Sequence, residues 1–190
     1  MSLAEYISIF LAIIVGLAVT DLAISFHRLL RARKRVEWDW LSLALAFVML
    51  LEVVLFWWGS YQWYRTAATM SIGGFLPDLA LFLMLFLAVA AVLPDEVPAE
   101  GLSLRRHYFD TAPHFWMLMV LTTITLVFVL GSRHAPGASP VGFLLSQWPN
   151  LALGAVMTVL IFVKRPWLHR GFVALLVPYT LWITFPFLLR

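Results

Sequence analysis

The sequence predicts an all-α, polytopic integral membrane protein: one membrane domain, residues 1–190, built as a bundle of six transmembrane helices. Composition is the first reason, since 63% of the residues are hydrophobic and 12% are charged, whereas a soluble domain carries about 25% charged residues. The second is that six apolar stretches each approach the ~20 residues that a helix needs to cross a bilayer. The lipid bilayer is therefore the expected partner of most of the surface.

The six predicted spans follow one another with short connections. They cover roughly 3–27, 40–63, 72–93, 114–131, 143–163 and 171–189. Helices are favoured over a β-barrel because these runs are continuously apolar rather than alternating. Ser2 and Glu5 have the spacing of a capping box at the start of the first span. That span lacks the basic leader of a signal peptide, so it is expected to be retained.

Basic residues are distributed unequally between the two sides of this arrangement. Of the 13 lysines and arginines, ten fall in the connections between spans 1 and 2, 3 and 4, and 5 and 6. These ten are Arg28, Arg31, Arg33, Lys34, Arg35, Arg105, Arg106, Lys164, Arg165 and Arg170. The other side receives Arg65, Arg133 and Arg190. The positive-inside rule then predicts the cell inner or plasma membrane, with both termini outside.

Aromatic residues mark both ends of the second span. Trp38 and Trp40 stand at its beginning, and Trp57, Trp58 and Trp63 lie toward its other end. The helix from Trp40 to Trp57 would measure about 26 Å, close to the hydrocarbon thickness. We interpret these five tryptophans as an interfacial belt rather than as a ligand cage.

A short internal echo raises the hypothesis that the chain consists of three helical hairpins. The segment PDLAL at 77–81 recurs as PNLAL at 149–153, each time at the outer start of an inward-running span. Leucine and alanine are abundant throughout the chain, so the identity is weak support by itself. The spatial arrangement of the two prolines would test the hypothesis.

One carboxyl lies deep inside the second span. Glu52 is about 18 Å of helix from Trp40, and no basic residue lies within two turns of it. An ionisable residue within a span costs ~2.5–3.5 kcal/mol or more and marks a functional site by default. Three interpretations stay open: a neutral acid hydrogen-bonded to a neighbouring helix, a proton- or cation-binding carboxylate on a permeation path, or a contact with a partner subunit.

Asp21 is the second candidate for such a path. It shares a helical face with Ser25 and Arg28 by the i, i+4, i+7 spacing. This pattern indicates either a snorkelling arginine that partly compensates the acid or a polar vestibule open to the cytoplasmic side. Both interpretations place the stripe at the inner end of the first span.

Asp78 is the third candidate. It follows Pro77, and this pair suits the first turn of a helix. If the segment just before the proline dips into the membrane, Asp78 reaches the depth of Glu52, and the two carboxylates can share a proton or hold a cation. Gln147 and Asn150 flank another proline in a corresponding place, and interrupted spans of this kind are a pointer to transporter sites.

Histidines and motifs bear on the remaining classes of function. His27 with His114 or His169 could supply two axial ligands for a b-type haem, which we keep as the less favoured hypothesis because no metal-binding spacing is present. The absence of cysteine excludes disulfides and thiolate metal sites. No phosphate loop or nucleophile motif occurs, and the longest connection is about 21 residues. We therefore expect no enzyme activity, no cofactor, no metal and no nucleic-acid partner.

Two groups of small or hydroxyl residues bear on helix packing. Ala12, Gly16 and Thr20 form a face of the first span that permits close approach of another helix, and ordinary packing within the bundle explains that face equally well. In the fourth span, Thr122 and Thr123 can hydrogen-bond back to their own helix or across to a neighbour.

These features favour a small ion- or proton-conducting channel or transporter with Glu52, Asp21 and Asp78 as the polar steps of its path. Six short helices leave little room for a wide cavity within one protomer, so we expect a homo-oligomer. The alternative is a non-catalytic accessory or assembly subunit of a larger membrane complex. In that case Glu52 meets a polar or basic group on a partner helix.

Overall fold

The structure is a computed structural model that describes residues 2–64, 69–133 and 139–188, and the chain forms seven α-helices within these ranges. They are α1 (Leu3–Arg31), α2 (Trp40–Tyr64), α3 (Ile72–Val92), α4 (Leu104–Arg133), α5 (Pro140–Ser146), α6 (Trp148–Phe162) and α7 (Pro166–Leu188). Two short strands, β1 (Val36–Glu37) and β2 (Leu102–Ser103), pair in parallel. The all-α fold is confirmed, as is the capping box of Ser2 and Glu5.

Five of the described helices are long and apolar enough to cross a membrane: α1, α2, α3, α4 and α7. The fifth predicted span, 143–163, is not one helix but two, because the helix breaks at Gln147 between α5 and α6. Pro149 has no N–H to donate to the carbonyl of Leu145, which removes a hydrogen bond at the break. α6 alone has 15 residues, about 22 Å of helix, which is shorter than the hydrocarbon core.

α4 differs most from its prediction. The span at 114–131 was expected to be the shortest, but the helix begins at Leu104 and contains 30 residues. Pro113 lies inside it and forgoes one backbone hydrogen bond. A hydropathy argument predicts a loop for the polar first turns of α4. It does so because hydropathy marks where a helix meets lipid, not where the helix begins.

The helices pack through apolar stripes and expose apolar surface on their outer sides. α1 packs on α2 and α3, α3 on α4, α4 on α6, and α2 on α7. In α1 the buried residues recur every three or four positions, which is the pattern of a helix with one packed face. They are Ala4, Ile7, Leu11, Val15, Ala18, Leu22, Ser25 and Leu29. The exposed faces of all five long helices carry large apolar residues, as a lipid-facing bundle requires.

Two of the three predicted hairpins pack as hairpins. α1 lies along α2 and α3 lies along α4, whereas α6 and α7 have no extensive contact in the described part of the chain, although only residues 163–165 separate them. The two copies of the internal echo also differ in position. Pro77 lies well inside α3, while Pro149 is the second residue of α6.

The connections rich in basic residues are tied together at one end of the bundle, named here the basic end. The β1–β2 ladder joins the first of these connections to the second. The Arg28 guanidinium donates to the backbone carbonyl of Asp95 over 2.6 Å. Arg170, at the start of α7, pairs with Asp39, at the start of α2, at 3.4 Å. Arg65 and Arg190, which the sequence analysis assigns to the other side of the membrane, lie outside the described residues.

Single-cysteine labelling tests which side of the membrane the basic end faces. The chain has no cysteine, so one introduced thiol is the sole target. With a membrane-impermeant maleimide on intact cells, we expect Thr69→Cys, in the exposed connection after α2, to be labelled. Lys34→Cys, exposed at the basic end, is expected to react only after lysis. The reverse pattern would overturn the orientation taken from the positive-inside rule.

Candidate functional site

Glu52 lies at the midpoint of α2, about 18 Å of helix from either end. Its side chain is half-buried because it lines a cavity of about 200 Å³ that is bordered mainly by α2, α4, α6 and α7. A cavity of this size can hold several water molecules or a small organic group. The Glu52 side chain therefore borders space inside the protein.

The wall of this cavity is mainly apolar. Leucine, methionine and aromatic side chains form most of it, and the aromatic ones include Phe56, Phe115 and Trp116. Besides Glu52, the polar lining side chains are Thr122, Thr123, Asn150 and Tyr179. Glu52 is the one lining residue in this set that can carry a charge near neutral pH.

Most polar donors of the wall are occupied by local hydrogen bonds. The hydroxyls of Thr122 and Thr123 donate to carbonyls one turn earlier in α4, over 2.8 and 2.9 Å. They thus bond back to their own helix, one of the two arrangements that the sequence allowed. The Asn150 side-chain amide donates to Gln147 Oε1 over 2.8 Å. None of these three donated hydrogen bonds reaches Glu52.

The hydroxyl of Thr180 on α7 faces the Glu52 carboxyl. The two groups fall short of a well-formed hydrogen bond, because Thr180 Oγ1 has no partner within bonding geometry among the described residues. Thr180 is fully buried. A buried hydroxyl without a partner costs about 1–3 kcal/mol, so Glu52 and Thr180 form an incompletely satisfied polar pair.

No basic side chain in the described ranges forms an ion pair with Glu52. The ion pairs found there join Arg106 to Asp110 and Arg170 to Asp39, and both lie at the basic end. An isolated carboxylate in an apolar environment is strongly disfavoured. Glu52 is therefore suited to hold a proton, or to bind a cation supplied from outside the chain.

A buried hydrogen-bond chain lies between the cavity and the basic end. Trp116, whose ring lines the cavity, donates its indole N–H to the Tyr108 hydroxyl over 3.3 Å. Tyr108 in turn lies 2.8 Å from His169 Nδ1, and His169 Nε2 lies 2.8 Å from the carbonyl of Val163. Since a carbonyl only accepts, His169 carries its proton on Nε2 and accepts from Tyr108. All three side chains are fully buried.

Asp21 is not among the residues that line the Glu52 cavity. It lies half-buried in the basic-end half of α1, near the charges of Asp95 and Arg28. Ser25 is buried, and its hydroxyl lies 3.5 Å from the Asp95 carboxylate. Because Arg28 donates to the Asp95 backbone, the predicted polar stripe becomes part of the network that ties the basic end together.

Asp78 is not in the first turn of a helix, contrary to the capping interpretation. α3 begins earlier, at Ile72, with Ser71 as its N-cap. Pro77 is inside the helix, so Asp78 falls in its second turn. The segment before the proline is therefore the start of a regular helix and not a separate membrane dip.

The Asp78 carboxylate accepts a hydrogen bond from the hydroxyl of Tyr64, and both side chains are fully buried. Tyr64 is the last residue of α2, about 18 Å of helix from Glu52. The structure thus places Asp78 and Glu52 at different depths of the bundle. Two carboxylates that far apart do not share one proton.

The predicted polar helix-start residues lie at the break between α5 and α6. Gln147 is the single residue between these helices, and Asn150 is the third residue of α6. Of the two, Asn150 lines the Glu52 cavity. The interruption that the sequence indicated therefore contributes one polar side chain to the site.

The five tryptophans of the predicted belt stand near the two ends of α2. Trp38 and Trp40 are exposed at the basic end, and Trp58 is exposed toward the other end. Trp57 and Trp63 are half-buried there. None of the five lines the Glu52 cavity, so their placement is consistent with anchoring at the two interfaces.

The histidines of the haem hypothesis have different environments. His27 and His114 are exposed, whereas both ring nitrogens of His169 are engaged in hydrogen bonds. An axial ligand needs a free ring nitrogen, so His169 would have to leave Tyr108 or Val163 to bind iron. Within the described residues, no group of three or more His, Cys, Asp or Glu side chains could hold a metal ion.

Sequence reasoning did not find Thr180, Tyr108, Trp116 or Tyr179. Each is a common residue in membrane helices, and its role depends on a partner from another helix. The one signal in the sequence is the spacing of Tyr108 and Trp116, which are about two turns apart and therefore share a face of α4.

Comparison with known proteins assigns the chain to no family. No family model, no curated protein and no solved structure matches it. The functional argument therefore depends on the geometry of the site.

Removal of the Tyr108 hydroxyl tests the structural role of the buried hydrogen-bond chain. Tyr108→Phe leaves the indole N–H of Trp116 and Nδ1 of His169 without their partner, so the free energy of unfolding should fall by about 1–3 kcal/mol. The measurement is reversible unfolding in mixed detergent micelles. Tyr6→Phe, at an exposed site, is the matched control and should change little. Equal stabilities of the two variants would contradict the assignment.

Proposed function

We propose that this protein is a membrane transporter or channel in which Glu52 takes up and releases a proton or a cation. The observation that carries the proposal is a mid-helix carboxyl that borders a cavity and has no basic partner among the described residues. Intramembrane acids of this kind typically mark ion or proton pathways. Exchange of the bound proton or cation is the elementary step of such a function.

A contrast within the same molecule supports a functional role for Glu52. His169 uses both ring nitrogens, and Asp78 is bonded to Tyr64. A purely structural Glu52 would be expected to be hydrogen-bonded as His169 is, since unpaired polar groups are costly away from water. Instead it borders open space, next to the unsatisfied hydroxyl of Thr180.

The hydrogen-bond chain of Trp116, Tyr108 and His169 favours a gated transporter over an open pore. This hydrogen-bond chain lies between the cavity and the basic end, and the contacts described above hold that end together. Transport would therefore need a change of conformation that opens the basic end. Asp21, in the basic-end half of α1, is the next polar step in this scheme. We place the activity in a homo-oligomer because one protomer holds only a small cavity.

Flux through liposomes tests the role of Glu52. Wild-type protein should dissipate an imposed proton or monovalent-cation gradient, and Glu52→Gln should reduce the rate at least ~10-fold, because the amide neither releases a proton nor neutralises a cation. Glu96→Gln, in an exposed connection, is the matched control. Absence of flux in the wild type, or equal flux in wild type and Glu52→Gln, would dismiss the proposal.

A second candidate function is that of an accessory or assembly subunit of a larger membrane complex. The α1 surface around Gly16 and Thr20 favours it, since both residues are exposed and a Cβ at Gly16 would meet no atom within 4 Å. Small residues on an exposed face permit close packing of another transmembrane helix. On this view the α1 face, rather than Glu52, is the main functional surface.

Purification in a mild detergent separates the two candidates. A stoichiometric partner protein that is lost in Gly16→Leu would favour the accessory role, because the larger side chain blocks close helix approach. A homo-oligomer without other subunits would favour transport. Gly171→Leu is the control, since Gly171 is also exposed and has no atom within 4 Å of its Cβ position.

A further inference from the structure

An apolar groove of about 380 Å³ runs between α6 and α7. It exists because α6 lies against α4 while α7 lies against α2, so the described residues leave a gap between them. Trp148 and Leu175 line the groove and are 66% and 72% exposed, which places its mouth on the outer surface of the bundle. In a bilayer this mouth would face lipid, not water.

The groove and the Glu52 cavity are neighbouring spaces that share part of one wall. Leu153 of α6 and Leu176 and Tyr179 of α7 line both spaces. A molecule that moved past these three side chains would travel from the lipid-facing surface to the carboxyl. The walls along the way are almost entirely apolar, and the charge-bearing group stands at the inner end.

Building on the proposed function, we propose that the substrate is an amphipathic organic cation that reaches Glu52 from the lipid through the groove between α6 and α7. Such a molecule has an apolar or aromatic body and an amine or quaternary ammonium group. The groove suits the body, and the positive group supplies the counter-charge for Glu52 that no basic residue in the described ranges provides. The rings of Phe56, Phe115 and Trp116 add cation–π attraction.

Two other occupants fit this path less well. A hydrated inorganic cation would have to shed its water along apolar walls that offer no replacement ligands. A lipid acyl chain would match the groove but would leave Glu52 and Thr180 as incompletely satisfied as they are now. An organic cation alone uses both the apolar groove and the carboxyl.

Binding of benzyltrimethylammonium to the protein in lipid nanodiscs tests the substrate class. Calorimetry should show saturable binding to the wild type and at least ~10-fold weaker binding to Glu52→Gln, because the charge interaction is lost. Neopentylbenzene, the uncharged molecule of the same shape, should not compete. Binding that Glu52→Gln leaves unchanged, or full competition by neopentylbenzene, would show an acyl-chain groove and overturn the inference.

The lateral route has its own test, which does not alter the carboxyl. Ala152 lines the groove but not the cavity, so Ala152→Phe should obstruct the mouth and slow benzyltrimethylammonium binding at least ~10-fold in stopped-flow measurements. Ala155→Phe, exposed on the same helix outside both spaces, is the matched control. Equal rates in the two variants would overturn access through the groove.

The flux assay distinguishes failure of this inference from failure of the proposed function. Proton or inorganic-cation flux that depends on Glu52, without binding of benzyltrimethylammonium, would remove the substrate class and leave transport standing. Binding that depends on Glu52, without flux of protons, inorganic cations or benzyltrimethylammonium across liposome membranes, would remove transport and leave the binding site. Absence of both would remove both.

Discussion

Hydrocarbon offers no hydrogen-bond partner, and this constraint governs how every polar group of the bundle is placed. Most of them are satisfied within the protein: Tyr108 joins Trp116 to His169, and Tyr64 bonds Asp78. Glu52 is different, because it lines a cavity and the nearby Thr180 hydroxyl forms no well-formed hydrogen bond with it. The cost of that arrangement is the physical basis of the proposal that Glu52 binds a ligand.

Strand pairing and an ion pair connect the segments at the basic end of the bundle, and a gap separates α6 from α7 on one side. At the basic end, the β1–β2 ladder and the pair of Asp39 with Arg170 connect segments that are distant in sequence. On the side, α6 and α7 diverge after residues 163–165 because each packs on a different helix. Any motion that widens or closes the Glu52 cavity on its lipid-facing side is therefore expected at α6 and α7, whereas opening toward the basic end would have to break these contacts.

The sequence predicted the class of fold because lipid imposes a strong compositional signal. The bounds of α2 and α3 also followed, since the predicted spans 40–63 and 72–93 lie within one residue of the helices Trp40–Tyr64 and Ile72–Val92. The start of α4 did not, because its first turns are polar and a hydropathy argument assigns such turns to loops. The sequence indicated an interrupted span near Pro149 but did not specify that the helix breaks at Gln147.

The candidate site was predictable in its central residue and not in its surroundings. Glu52 was identified because a lone acid in an apolar run carries a large free-energy cost of membrane insertion. Tyr179 and Asn150 line its cavity, and Thr180 faces it, only through packing of helices far apart in sequence, which no local pattern encodes. Asp78 shows the converse: its local signal resembled a helix cap, and its bond to Tyr64 on another helix decides its environment.

The depth of Glu52 and the separation of α6 from α7 are best understood together. A carboxyl at mid-membrane is difficult to reach through water, because a water-filled path would need polar residues along its length. This chain has few polar residues that could line such a path. An opening toward lipid removes that requirement, since the approaching molecule can bring its own apolar surface. In the proposed binding site, a single acid at the end of the apolar groove would select for positive charge, and the groove would select for solubility in lipid.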